Sequence, residues 1–292
     1  MDFLDIQSKK LQNSFVLTRV GVTGVKKPVH VQRPNKLVTL VPKINVYVNL
    51  PAEQKGSHLS RHLEVINEIV DKSVREPIKS LEELCSKIVK LLLERHDYAS
   101  YAEVEMEADY FLERVTPHQK KSLEVYKLLA KSKKKKGKKL QKSIGVEVIG
   151  MTACPCAMET TKNLLAHQDK KIKNLEIPTI THNQRNISTL IIDVPEDYDI
   201  EADDLIDIVE KAMSTATYEI LKREDEGEVV INAHKNPKFV EDVVRDILKL
   251  VLEKYSHLPD HTKVMARSES EESIHKHNAF AERVTILEEL RN

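Results

Sequence analysis

The 292-residue sequence contains no tryptophan, and aromatic residues make up only 4% of it. Its core must therefore be built from isoleucine, valine and leucine. It also lacks a net charge, since 46 basic residues balance 46 acidic ones. That balance argues against a generic polyanion-binding protein but leaves room for local patches. No run approaches the roughly 18 apolar residues of a membrane span. The opening stretch "MDFLDIQSKKLQ" is charged and has no apolar h-region, so no export signal is expected. Three cysteines, an odd number, give no disulfide framework and point to reduced thiols in a cytoplasmic protein. Seven glycines and a Lys/Glu/Ile-rich bias fit a compact, thermophilic protein.

Periodicity carries most of the structural reading. Residues 37–50, "LVTLVPKINVYVNL", alternate at Ile44, Val46, Val48 and Leu50, which predicts one strand with a buried face. "HLSRHLEVINEIVDKS" places Leu59, Leu63, Ile66 and Val70 on one helical stripe. Ser80-x-x-Glu83 is a capping box that opens a second amphipathic helix, with Cys85 on its apolar face as core. "YAEVEMEADYFLERV" alternates again at Ala102, Val104, Met106 and Ala108. "KSLEVYKLLA" and "KSIGVEVIG" flank "KSKKKKGKKLQ" and read as a hairpin. The lysine run reads as a solvated turn that discourages edge pairing, because no aromatics interleave with it as in a nucleic-acid patch.

The second part repeats this outline. "ISTLIIDV" is a strand, and "EADDLIDIVEKAM" a helix with Ala202, Leu205, Val209 and Ala212 on one stripe. "NPKFVEDVVRDILKLVLEKY" is a helix in which Asn236 is expected as N-cap and Pro237 as the first helical residue. "HTKVMARS" and "AERVTIL" read as closing strands. Both halves are thus expected to be sheet plus paired helices, an α+β architecture.

Several polar stretches have no evident structural task. Cys154 and Cys156 follow a strand in "GMTACPC", and Pro155 is expected to keep the backbone extended with both thiols on one side. One thiolate could bind a metal; equally, both could be small buried residues. His182 of "THNQR" could be a ligand, a proton carrier or a loop residue. "KREDEGE", residues 222–228, reads as a solvated loop whose carboxylate could complete a metal site by folding inward. Glu241 and Asp242 fall in a first helical turn, where they complement the dipole. A carboxylate in a pocket also suits guanine, whose N1–H and 2-amino group both donate. Glu272, His275 and His277 of "EESIHKHN" suit metal binding or acid–base work, and a strand would put both histidines on one face; equally, the stretch could be a hydrophilic loop. "GSHLSRH", residues 56–62, opens a helix whose start favours phosphate.

The ordered set "GSHLSR", "GMTACPC", "THNQR", "KREDE", "NPKFVED" and "ESIHKH" resembles the type IB GTP cyclohydrolases, most of all the archaeal branch that feeds methanopterin synthesis. The resemblance runs from about residue 18 to the C-terminus. It implies a tunnelling fold (T-fold) of two tandem modules, here residues 1–118 and 119–292, each of antiparallel sheet plus paired helices. It implies a homodimer or homotetramer with sites near subunit interfaces, and no nucleic-acid or membrane partner. It implies a metal, Fe(II) in the archaeal members, with Mn(II) or Zn(II) as substitutes. By motif, Cys154 looks like the metal-linked thiolate and His182 like a ligand. Glu226, Glu272 and His275 look like the remaining metal-site and acid–base residues. Glu241 looks like the guanine anchor, while His58 and Arg61 face substrate. Cys156 belongs to the motif without an assigned task.

The residue types suit the implied chemistry. Water must attack C8 of GTP, a weakly electrophilic carbon, and a metal lowers the pKa of water. A mixed S/N/O ligand set suits Fe(II), Mn(II) or Zn(II) without choosing among them. A protonatable group must then serve the departing ring nitrogen. C8 leaves as formate, and the archaeal branch implies 7,8-dihydroneopterin 2′,3′-cyclic phosphate as product. The alternatives are the bacterial-type triphosphate for folate, a different purine or pterin, or a non-catalytic binding protein with a structural metal. A covalent role for Cys154 is a further alternative.

Overall fold

The computed structural model describes residues 14–33, 36–169, 177–195 and 198–291, with Gln7 and Lys171. Apart from Gln7, the opening stretch lies outside the described residues. The chain divides into two compact units. One comprises Met1–Asp109, Leu128–Ile144 and Asp193–Glu196; the other comprises Tyr110–Lys127, Gly145–Ile192 and Asp197–Asn292.

The first unit begins with β1 (Leu17–Lys26), β2 (Val29–Arg33), β3 (Lys36–Leu40) and β4 (Lys43–Leu50). Helices α1 (Leu59–Arg75) and α2 (Leu81–Arg95) follow, then β5 (Tyr101–Val115). Two more long strands, β6 (Lys121–Lys135) and β7 (Gln141–Ala153), contribute their adjoining ends. The strand order is β1-β4-β5-β6-β7, with β1/β4 and β4/β5 antiparallel. The alternation in β4 and β5 is as expected: Ile44, Val46, Val48, Ala102, Val104 and Met106 are all buried. Residues 37–50 are nevertheless two strands, not one. Pro42 lacks an N–H for a ladder, and β3 instead pairs with β2 in a separate two-stranded sheet.

Helix α1 also departs from the expected stripe. Leu59 and Leu63 are 47% and 43% exposed, and the buried face is His62, Val65, Ile66, Val70 and Ser73. In α2 the capping is as expected: Ser80 Oγ accepts the Glu83 N–H at 3.3 Å, and Cys85 is fully buried. The lysine run is mostly strand rather than turn, because β6 extends to Lys135. The turn itself needs a left-handed residue, supplied by Gly137 at φ +75°.

In the second unit, α3 (Pro155–Gln168), β8 (Asn183–Asp193), α4 (Ala202–Ala212) and β9 (Thr215–Ala216) follow β7. Next come α5 (Arg223–Lys235), α6 (Val240–Lys254), β10 (Lys263–Ser270), β11 (Ala279–Ile286) and α7 (Leu287–Arg291). The sheet order here is β5-β6-β7-β8-β10-β11, with β9 beside β7. Helix α4 buries its expected stripe. Its outer edge is tied to the sheet by ions: Arg114 Nη2 reaches Asp207 at 2.7 Å and Glu210 at 2.9 Å, and the Tyr126 hydroxyl donates to Glu210 at 2.5 Å. Helix α6 packs on α4, β10 and β11. The division expected at residues 118 and 119 falls in the β5–β6 turn, within a hairpin whose strands contribute to both units.

Two local expectations are corrected. "KREDEGE" is not a loop but the start of α5, where the Asp225 carboxylate accepts the N–H of Lys222 at the helix start and that of His118 in the β5–β6 turn. Asn236 does not cap α6; it ends α5, and its amide donates to the Met213 and Ser214 carbonyls. The true start of α6 is Phe239, whose N–H donates to Asp242 Oδ2 at 3.0 Å. Residues 271–278 form the turn between β10 and β11, so His275 and His277 lie in a loop and not on a strand.

Candidate active site

Cys154 lies between β7 and α3. It is the N-cap, and its Sγ accepts the Ala157 N–H at 3.4 Å. Pro155 takes the first helical position, where a fixed φ and a missing N–H cost nothing. The two thiols therefore do not share a strand face: Cys154 is half-buried and Cys156 is exposed on the helix.

Hydrogen bonds to main-chain carbonyls bring distant motifs to this corner. The Cys154 N–H donates to the His182 carbonyl at 3.0 Å, and the Thr181 hydroxyl donates to the Cys154 carbonyl at 2.7 Å. One residue earlier, the Ala153 carbonyl accepts the Lys238 N–H at 3.0 Å. "GMTACPC" is thus tied to "THNQR" on one side and to "NPKFVED" on the other.

The result is a hollow of about 190 Å³ lined by Cys154, Gln184, Lys238, Phe239, Val240, Glu241, Ser270, Glu272, Ala279 and Phe280. Cys154, Glu241 and Glu272 therefore share one cavity. Glu241 stands in the first turn of α6, exposed, without a hydrogen bond or ion pair among the described residues. Phe239 and Phe280, 44% and 56% exposed, supply aromatic faces. The Lys238 amine is already engaged by Asp246 at 2.7 Å and the Ala212 carbonyl.

His182 stands beside this hollow, its side chain only 10% exposed. Its Nδ1 lies 2.9 Å from Gln184 Oε1 and 3.6 Å from Glu272 Oε2. The Gln184 amide nitrogen donates to Glu272 Oε1 and to the Thr152 hydroxyl, both at 3.3 Å. A carboxylate can only accept, so the NH₂ must face Glu272 and the amide oxygen must face His182. That oxygen requires the proton on Nδ1, leaving Nε2 with its lone pair available to bind a metal or take a proton. Beneath Gln184 runs a buried polar ladder: Thr152 to Ser270 at 3.1 Å, and the Asn186 amide to Ser270 and Ser268 at 2.9 and 2.8 Å. It holds β7, β8 and β10 in register under the site.

His275 lies in the exposed turn, its ring 6.3 Å from His182 and perpendicular to it, stacked on His277 at 5.1 Å. Glu226 is exposed in the first turn of α5 and does not line the hollow. His58 is the N-cap of α1 in the other unit, where the Arg61 guanidinium donates to the Arg95 carbonyl at 3.3 Å. Among the described residues, no three His, Cys, Asp or Glu side chains form a group that could hold a metal ion. Sequence reasoning missed Gln184, Lys238, Phe239 and Phe280. The two phenylalanines carried a signal, since the chain has only five.

The family model for type I GTP cyclohydrolase folE2 matches residues 3–281. The chain belongs to this GTP cyclohydrolase family. It is 45% identical over 288 residues to GTP cyclohydrolase MptA of Methanobrevibacter smithii, covering 94% of this chain and 93% of that protein. It is also 45% identical to GTP cyclohydrolase MptA of Methanocaldococcus jannaschii, with 98% and 96% covered. As a GTP cyclohydrolase, the chain is an enzyme acting on GTP. Among solved structures, uricase from Arthrobacter globiformis is similar with a TM-score of 0.59 at 8% identity, over 92% of this chain and 93% of that one. That likeness concerns fold alone and fits a T-fold-like antiparallel sheet with helices. Among the described residues, no helix is long and apolar enough to cross a membrane.

Proposed function

We propose that this GTP cyclohydrolase hydrolyses GTP at C8, releases formate and forms 7,8-dihydroneopterin 2′,3′-cyclic phosphate for methanopterin synthesis in the cytoplasm. The observation that carries the reading is the single hollow in which Cys154, Glu241 and Glu272 meet, with His182 held at its edge. Glu241 anchors guanine by accepting from N1–H and the 2-amino group together, a pairing that a carboxylate without another partner can make. Phe239 and Phe280 flank the heterocycle. The methanogen relatives named MptA support the archaeal product over the triphosphate.

Cys154, His182 and Glu272 offer sulfur, nitrogen and oxygen, donor types that suit Fe(II), with Mn(II) or Zn(II) as substitutes, although among the described residues they are not gathered into a group that could hold the ion. An ion held there would act as a Lewis acid that activates water near neutral pH. By accepting from Nδ1, Gln184 selects the tautomer of the neutral His182 ring that presents the Nε2 lone pair. His275, beside His182 in a solvated turn, carries the proton to the departing ring nitrogen. Glu226, His58 and Arg61 are residues that a neighbouring copy would add in a homodimer or homotetramer with sites near subunit interfaces. Two tandem T-fold modules, 1–118 and 119–292, are the arrangement that supports such assembly.

The test is anaerobic. Metal-free protein is mixed with GTP and with Fe(II), Mn(II) or Zn(II) separately, and formate and product mass are measured. Formate and a cyclic phosphate with Fe(II) are expected. No formate with any metal, from folded and metal-loaded protein, would overturn the reading.

A further inference from the structure

The first unit has a second hollow, of about 390 Å³, on residues the proposed reaction does not use. Lys90 of α2, Lys134 of β6, Lys138 and Lys139 of the β6–β7 turn, and Lys142 of β7 surround it. None of these five amines makes an ion pair or hydrogen bond among the described residues. Glu83, the one carboxylate in the lining, is already occupied by Lys87 at 2.9 Å and by the Lys79 N–H at 3.0 Å. The chain as a whole is neutral, so this excess does not follow from its composition.

The lysines are mounted on fixed parts. The turn is tied down by the Lys136 N–H, which donates to the Ser100 carbonyl at 2.8 Å, and by the Lys136 amine, which donates to the Asp97 carbonyl at 3.1 Å. Ser86, buried at one wall, is bonded to the Glu82 carbonyl and stands 3.2 Å from Ser132. Like charges gathered on separate elements around a concavity repel one another, and an anion that enters relieves that repulsion. Lysine binds phosphate as a compact point charge with rotatable donors, which suits a chain of phosphates of variable geometry. The lining contains no aromatic side chain, so nothing there stacks a base.

We propose that this hollow is a binding site for a linear phosphate chain, either a free oligophosphate or the phosphate tail of a nucleotide, separate from the Cys154 site. The proposal stands whether or not the reaction assigned above is correct. The hollow reads the phosphates and leaves any base in solvent.

The experiment is calorimetric titration of the full chain with sodium tripolyphosphate at low ionic strength, where such contacts are least screened. It is repeated with K134A/K138A/K139A and with a charge-matched control, K211A/K235A/K249A. One-site binding is expected, weakened roughly tenfold or more in the first variant and unchanged in the control. Far-ultraviolet circular dichroism and unchanged GTP turnover establish that the first variant is folded. Competition by ATP with an affinity like that of tripolyphosphate identifies the phosphate chain as the recognised part; much tighter tripolyphosphate binding identifies the free oligophosphate as the source. The proposal is overturned by absence of binding in the parent chain, by equal losses in both variants, or by single-stranded RNA binding at these lysines while tripolyphosphate does not.

Discussion

Glu241 and Asp242 are neighbouring carboxylates in one helical turn, and the structure gives them opposite duties. Asp242 accepts the Phe239 N–H at 3.0 Å and pairs with Arg245 at 3.3 Å. Glu241 bonds to nothing among the described residues and lines the hollow. Removing the Glu241 charge forfeits only its interaction with the helix dipole, about 0.3–1 kcal/mol. Removing the Asp242 carboxylate forfeits a capping bond as well, about 1 kcal/mol more. E241Q should therefore lower the melting temperature less than D242A, with about 2–4 °C expected per kcal/mol.

Turnover should rank the other way. A hydrogen bond to a charged group contributes about 1.5–3 kcal/mol. Glutamine keeps one acceptor but turns an NH₂ against the second guanine donor, so about 3 kcal/mol of binding is lost. That corresponds to a fall in kcat/KM of about 150-fold. Formate release, with metal content matched to the parent chain, is the assay. E241Q activity within about threefold of the parent, or equal kinetic losses in E241Q and D242A, would refute the assignment of Glu241 to guanine.

Other perturbations follow from the same geometry. C154A should lose its stoichiometric metal, and retention would sink the thiolate-ligand assignment. Q184L, which removes the acceptor at His182 Nδ1, should weaken Fe(II) binding by about 10–100-fold in a chelator competition; unchanged affinity would show that Gln184 does not orient the ring. R114M should destabilise by about 3 kcal/mol in denaturant unfolding, because Glu210 loses its cation while burial already pushes its carboxyl up. His62 is buried against His96, and burial first, then that neighbour, lowers its pKa to about 4. Below its ordinary value of 6.5 the unfolded chain takes up a proton that the folded chain refuses, so stability falls as pH drops from 6.5 toward 4. The full difference is about 3–4 kcal/mol, and H62F should flatten that part of the melting-temperature curve; parallel curves would contradict it.

What could be read from the sequence depended on whether a residue's partner lay one period away. The faces of β4, β5 and α4 were legible because each buries residues at regular spacing. Helix α5 was not, because only Asp225, Val229 and Ala233 are buried and no stripe stands out from its charges. Leu59 and Leu63 misled because spacing reports a possible face, while packing chose the one carrying His62 and Val65. Pro155 misled because its fixed φ suits both an extended chain and the first helical position, and only the Ala157 N–H on Cys154 Sγ decides between them. The site shows the same limit. Its motifs were visible as an ordered set, but Gln184 finds its partners 32 and 88 residues away in Thr152 and Glu272. Main-chain bonds hold the motifs together, since the amides of Cys154 and Lys238 donate to the carbonyls of His182 and Ala153, and the Thr181 hydroxyl and Gln184 amide add side-chain links. Substituting any lining side chain leaves the two main-chain bonds in place. The hollow should therefore keep its shape while single chemical roles are removed from it, and that separation is what lets E241Q and C154A be read as tests of function rather than of folding.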